Sequence, residues 1–131
     1  MSLKSGAHTK YELQYHFVWC PKYRKILLKG NIANYMVKLV YEVAERYEYD
    51  ILALAVMPDH IHLFASAPPH ISPESLVRTI KSITARKLFA RFPSIKRTLW
   101  GGALWERGYL VMSSGSGTTD EVIRRYIKEQ R

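Results

Sequence analysis

Three groups of residues in this sequence could do chemistry. The first is His60-Ile61-His62, inside the stretch MPDHIHLF at residues 57–64. On an extended strand, side chains two positions apart share a face. Both imidazoles can then reach one metal ion while Ile61 points into the core. The plainer reading is two polar residues on a half-exposed strand, and for an isolated His-x-His that is the default. His8, His16 and His70 stand alone and read as surface or structural residues. His16 falls in the first strand and could lie near the pair, but no local pattern connects them.

The second is Tyr126. It lies one helical turn after Val122 and one before Gln130, so the three share a face. A tyrosine on an amphipathic helix is ordinarily core or interface filler. A phenol with a pKa of about 10 is a poor nucleophile unless a metal ion or a cation eases its ionisation. The third is a set of basic residues mixed with aromatics. Trp19, Lys22, Tyr23, Arg24 and Lys25 form one cluster, and Lys96, Arg97, Trp100, Trp105 and Arg107 another. Arg78, Lys81 and Arg86 spread along one helix, and Arg124, Arg125 and Lys128 flank Tyr126. Cations bind phosphates, and aromatic faces stack unpaired bases.

Composition narrows the partners. The 131 residues carry 20 Lys+Arg against 11 Asp+Glu, a formal net charge of +9. A solvated charged surface explains single cations but explains that excess less well, so a polyanion is expected, with nucleic acid first. An anionic membrane surface ranks second, because no basic helix has the bulky apolar face such binding uses. Hydrophobic residues at 47% and charged residues at 24% are ordinary globular values. The lone cysteine, Cys20, excludes an internal disulfide and a cysteine-rich zinc site. The longest wholly apolar run, residues 51–57, is far short of the roughly 20 residues of a spanning helix. The amino terminus, MSLKSGAHTK, has no apolar segment for export, so a cytoplasmic location is expected. There is no P-loop and no acidic cluster of the kind that holds two metals.

The elements that must position these groups can be read along one domain, residues 1–131. Residues 1–10 form a polar arm. Residues 11–20 (YELQYHFVWC) are aromatic and β-branched enough for a strand, which Pro21 ends. Residues 21–30 make a basic loop or hairpin. Apolar residues at Ile32, Met36, Leu39, Val40, Val43 and Tyr47 predict a helix over 32–47. Residues 49–57 read as a largely buried strand, Pro58-Asp59 as a turn, and residues 60–66 as a strand closing a hairpin. Ser72 is an N-cap with Pro73 at the first helical position, and that helix runs to about Arg91. Lys87 falls inside its apolar arc without an evident reason. Residues 105–113 are a strand candidate, and residues 113–117 (SSGSG) a hinge. Thr118 and Glu121 are spaced as a capping box for a last helix, residues 118–131, which carries Tyr126. A hairpin between two helical crossovers predicts an α+β, ferredoxin-like (split βαβ, RRM-like) fold. Its antiparallel sheet has two helices on one face, the other face left for a ligand or partner, and an extra C-terminal helix.

With His60-Ile61-His62 and the Tyr126-x-x-x-Gln130 helix together, the chain resembles a known family. It is similar to the single-tyrosine HUH transposases of small bacterial and archaeal insertion sequences, the IS200-like type (HUH is His, a hydrophobic residue, His). YHFVWCPKYRK at 15–25, VMPDHIHLFASAPP at 56–69 and SITARKLFARFP at 82–93 carry the resemblance, with LWERGYLV at 104–111 and EVIRRYIKEQ at 121–130. The resemblance implies that His60 and His62 bind a divalent ion, Mg2+ or Mn2+, with Gln130 as a third protein ligand. It implies that Tyr126 attacks the scissile phosphate of single-stranded DNA, giving a 5′-phosphotyrosine and a free 3′-OH. A DNA 3′-OH would later rejoin the strands without a nucleotide cofactor. It further implies hairpin-forming element ends as substrate, and a prokaryotic, DNA-associated homodimer whose C-terminal helices can exchange between subunits. DNA contacts are not carried over residue by residue; Lys22, Arg24, Arg78 and Lys81 are expected as a group.

Three other readings stay open. A catalytically inactive or domesticated relative would keep the fold and DNA binding. An RNA-binding ferredoxin-like module would carry an aromatic RNP strand, which Arg107-Gly108-Tyr109-Leu110 matches only in part. A metal-dependent hydrolase of small substrates would use water and not need Tyr126.

Overall fold

The computed structural model describes residues 3–6, 10–11, 13–113 and 120–129. The chain opens with a two-stranded antiparallel ribbon, β1 (Lys4–Ser5) with β2 (Lys10–Tyr11). Lys4 forms an ion pair with Asp50 at the edge of the main sheet, so the polar arm is docked there. The strand expected over 11–20 therefore divides, and its main piece is β3 (Gln14–Trp19). A single 3-10 turn (Lys22–Arg24) follows Pro21. Helix α1 (Gly30–Tyr47) begins two residues before the apolar stripe and stops where Glu48 turns left-handed. There the Tyr49 N–H returns to the Ala44 carbonyl at 2.9 Å.

The hairpin is β4 (Asp50–Met57) with β5 (His60–Ser66), followed by α2 (Pro73–Arg91). Ser72 caps α2 as expected, its hydroxyl accepting from the Ser75 N–H at 3.0 Å. A short helix, α3 (Pro93–Thr98), was not expected; Pro93 starts it after Phe92 breaks the α2 pattern. Strand β6 (Leu110–Ser113) is only the end of the strand expected over 105–113. Gly108 at φ 76 breaks the run, leaving Trp105 as an isolated bridge to Pro21. Helix α4 (Asp120–Lys128) is the expected last helix. Thr118, and with it the capping box, lies outside the described residues, as do residues 114–117 of the hinge and His8.

The sheet is antiparallel in the order β4-β5-β3-β6. This is the α+β arrangement expected. On one face Phe17, Trp19, Ile61, Leu63 and Ala65 meet Met36, Leu39, Val40 and Val43 of α1 and Leu76, Val77, Ile80 and Leu88 of α2. Each large apolar side chain buried there stabilises by about 1.5–3 kcal/mol. That burial sets the register, because a one-residue slip of β5 would turn Ile61 and Leu63 outward and the histidines inward. Strand β4 is not largely buried: its residues are half-buried or exposed throughout. It is one of the two edge strands, and only its Ile51, Leu54 and Val56 pack against the core. Its ladder is bulged between Ile51 and Ala53, leaving Leu52 without a partner on β5. Lys87 lies at the seam of the two helices, lining a shallow cavity with Leu39, Glu42, Val43, Arg46 and Ile83. There a lysine stem covers apolar surface while its ammonium reaches water, which accounts for its place in the apolar arc.

Candidate active site

The face of the sheet opposite the helices carries the histidines. Register pairs His62 with Val18 and Phe64 with His16, so β5 and β3 present one continuous surface. His60 and His62 are half-buried on it, with Ile61 fully buried between them. Asp59 Oδ1 lies 2.9 Å from His60 Nδ1, which leaves Nε2 as the nitrogen for a ligand. His62 Nε2 lies 3.2 Å from His16 Nδ1. The His16 ring stacks on Phe64 at 4.2 Å and 8°. Burial pushes the His16 imidazole below its ordinary value. His16, His62, Phe64, Ala53 and Ala55 line a depression of about 170 Å³. His16 could be placed near the pair from its strand, but the His16–His62 contact itself depends on register, which no local pattern shows.

Tyr126 on α4 is half-buried. Burial, and then the Cys20 thiol and Glu106 carboxylate beside it, push its phenol up to about 12. Cys20 itself is fully buried. Its burial, with Asp59 as the next contributor, raises the thiol to about 11. Cys20 is thus within electrostatic reach of Asp59, the carboxylate on His60, and of the Tyr126 phenol. Arg24 Nη1 donates to the Ile127 carbonyl at 3.1 Å, tying α4 to the 3-10 turn of the same chain. Gln130 lies outside the described residues. Among the described residues, no three His, Cys, Asp or Glu side chains converge as a metal site. Two imidazoles on one face supply part of a donor set, which phosphate or amide oxygens can complete.

A sequence profile of the family described as "Transposase IS200 like" matches residues 9–130. The chain belongs to the IS200-like transposase family. It is 34% identical over 130 residues to the ISDra2 transposase TnpA of Deinococcus radiodurans, covering 99% of this chain and 92% of that one. It is 32% identical over 127 residues to the transposase for insertion sequence element IS200 of Salmonella typhimurium, covering 97% and 82% of the two. Among solved structures it resembles a crystal structure assigned as a transposase from Deinococcus radiodurans R1. That likeness has a TM-score of 0.90 and 34% identity, over 98% of each chain. A REP-associated tyrosine transposase bound to a REP hairpin shares the fold, with a TM-score of 0.52 and 17% identity over 95% of this chain and 68% of that one.

The transposase's expected DNA-contact residues fall in two places. Lys22 and Arg24 sit on the 3-10 turn beside α4, where Lys22 Nζ is 3.6 Å from Glu106 Oε1. Lys81 and Arg78 lie on α2. Lys81 Nζ donates to the Glu106 and Gly108 carbonyls at 2.9 and 2.7 Å, and burial lowers its pKa. It thus holds the segment before β6. Arg78 pairs with Glu74 on the exposed helix surface at 3.1 Å. Both line a cleft of about 520 Å³ between α2 and residues 103–109, with Phe89, Trp105 and Tyr109. None of the residues lining that cleft is a histidine of the pair or Tyr126.

Sequence reading missed two residues of the candidate site. Asp59 was only a turn signal, although it directly precedes His60. Glu106 carried no pattern, yet it accepts from the Tyr23 N–H at 2.8 Å while lying near Tyr126. The structure also merges the two aromatic and basic clusters. The Tyr23 and Trp100 rings meet at 5.3 Å and 70°. Lys22 lies 5.6 Å from the Tyr23 ring and Lys25 5.1 Å from the Trp100 ring. Tyr23, Arg24 and Trp100 all hold left-handed φ of 60, 48 and 55. Such conformations cost about 1–3 kcal/mol each for residues other than glycine.

Proposed function

We propose that this transposase cleaves and rejoins single-stranded DNA at insertion-sequence ends through a 5′-phosphotyrosine on Tyr126. What supports the reading is the placement of His60 and His62 together on the open face of the sheet, with the Asp59 carboxylate on His60, in a chain of this family. Tyr126 Oη forms a bond to phosphorus as the bond from phosphorus to the 3′ oxygen breaks. The phenol loses its proton and the departing 3′ oxygen gains one. A DNA 3′-OH then attacks the phosphotyrosine and restores the phenol. His60 and His62 would hold a divalent ion, Mg2+ or Mn2+, with Gln130 as a further protein ligand. When bound, that ion supplies positive charge at the scissile phosphate. Asp59 fixes the His60 ring, and burial makes the Tyr126 phenol harder to ionise than an ordinary tyrosine, a cost that positive charge at the site would offset.

The substrate class is a hairpin-forming single strand, by analogy with the REP-associated transposase bound to a REP hairpin. The working species is a homodimer, DNA-associated and cytoplasmic. The Arg24–Ile127 contact, made here within one chain, is the one an exchange of α4 would remake with a partner. Among the described residues no helix is long and apolar enough to cross a membrane.

The test uses 5′- and 3′-labelled oligonucleotides from the element's ends, with Mg2+ or Mn2+, run on denaturing gels. The expected result is label that migrates with protein, on the 5′ side of the break, and that is lost in Tyr126→Phe and in His62→Ala. Binding without an adduct on correct ends would favour the non-catalytic DNA-binding reading. An adduct that survives Tyr126→Phe would remove Tyr126 as the nucleophile. No binding and no adduct would leave the RNA-binding reading as the next to test.

A further inference from the structure

We infer that Tyr23 and Trp100 form a base-stacking platform for the single strand that enters the Tyr126 site. The position beside cleavage chemistry rests on the proposed function; the stacking itself does not. Trp100 is 74% exposed, more than any other large apolar side chain among the described residues, and Tyr23 is 46% exposed. Core packing therefore does not explain either ring.

Backbone geometry sharpens the point. Trp100 occupies the left-handed position after α3, where a glycine would fit without strain. Two glycines, Gly101 and Gly102, follow immediately. The bulky residue is nonetheless held there by the Trp100 N–H on the Arg97 carbonyl and the Gly101 N–H on the Lys96 carbonyl, at 3.0 and 2.7 Å. Tyr23 is held in its left-handed conformation by a distant side chain, its N–H donating to the Glu106 carboxylate. Two unrelated strained turns thus bring two exposed rings into contact. Strain of this kind collects at binding sites, where geometry is imposed for a ligand.

The surroundings select the ligand. Lys22 and Lys25 stand beside the two rings. Aromatic faces that stack bases, with cations for the intervening phosphates, are the usual means of holding a single strand. The net charge of +9 fits a polyanion. Two other such groups among the described residues pack against the core: Tyr47 stacks on the buried Tyr49, and Tyr35 and Phe92, with Arg91 beside both rings, are half-buried. The platform also adjoins the active site. Glu106 accepts from Tyr23 and influences the Tyr126 phenol, and the next residue of the turn, Arg24, holds α4.

The test uses the full chain, a fluorescein-labelled oligothymidylate of about a dozen nucleotides, and an abasic strand of the same length. Binding is followed with EDTA present. Trp19 and Trp105 are buried, so quenching of tryptophan emission on binding reports Trp100. The expected result is quenching by oligothymidylate, and binding weakened roughly 5- to 150-fold in Trp100→Gly. Trp100→Phe keeps most of the affinity, and the abasic strand binds wild type and Trp100→Gly alike. Trp100→Gly relieves the left-handed strain, so a thermal midpoint at or above wild type shows that lost binding is not lost folding. Equal affinity of wild type and Trp100→Gly for oligothymidylate overturns the inference. So does a shift in oligomeric state with unchanged DNA binding, which would make the patch a subunit contact. The covalent-adduct assay separates the two proposals. Adduct formation without dependence on Trp100 sinks the platform and spares the transferase, whereas Trp100-dependent binding with no adduct does the reverse.

Discussion

Replacing His16 by Phe should tighten divalent-ion binding at His60 and His62. Phenylalanine keeps a flat ring on Phe64, where His16 now stacks at 4.2 Å. It removes the Nδ1 that lies 3.2 Å from His62 Nε2. An ion taken by that Nε2 must first break the hydrogen bond. A bond of this kind contributes about 0.5–1.5 kcal/mol net, which corresponds to roughly 2- to 13-fold in affinity. At 3.2 Å it sits at the long end of the range, so the lower half, about 2- to 5-fold, is expected. Titration calorimetry with Mn2+ above the His16 titration range, on wild type and His16→Phe, measures it directly. Metal-free His16→Phe should melt slightly lower, because the folded state loses the bond. Affinity that falls by tenfold or more would refute the reasoning and make His16 a ligand. Unchanged affinity would show that His62 binds through its other nitrogen.

Asp59→Asn keeps the shape of the carboxylate but weakens its hold on His60; Mn2+ affinity should fall about 10- to 100-fold by calorimetry with the thermal midpoint nearly unchanged. Tyr126 should make the chain sensitive to alkali. Its folded pKa is raised, so the stability is fully present below about pH 10 and is lost as pH rises toward about 12, where the unfolded chain ionises first. The loss should be about 1–2 kcal/mol once its half-exposed ring is allowed for, and Tyr126→Phe should melt higher than wild type near pH 11 but not near pH 8. Lys81→Met keeps the stem and removes two donors; chemical denaturation should show a loss of about 1–3 kcal/mol, and hydrogen exchange should quicken in residues 104–109.

The sequence exposes features that depend on local periodicity. HIHLFAS alternates with period two, so the shared face of His60 and His62 could be read directly, and the core position of Ile61 with it. Ser72 and Pro73 mark the start of α2 through bonds made within one turn. Strand β4 misled because ILALAVM is apolar enough for a central strand, while edge placement is decided by pairing elsewhere in the chain. The break before β6 turns on Gly108 and on a lysine from α2, neither visible as a pattern. The site divides in the same way. The histidine pair and the Tyr126 face are local, whereas His16–His62 and Tyr23–Trp100 join distant segments through register and turn geometry.

The bulge in β4 has a consequence for how the chain can change length. Ile51 pairs with Ala65 and Ala53 with Phe64, so the residues on either side of Leu52 already face as consecutive strand residues should. Leu52 is the surplus residue, and it is exposed. Deleting it would straighten the ladder while every other side chain of β4 kept its face, with Ile51 still toward the helices and Ala53 and Ala55 still beside His62. A single deletion at Leu54 or Ala55 has no such outlet and would turn part of the strand over. Position 52 is therefore where this edge of the sheet can shorten by one residue and still leave room beside the imidazoles.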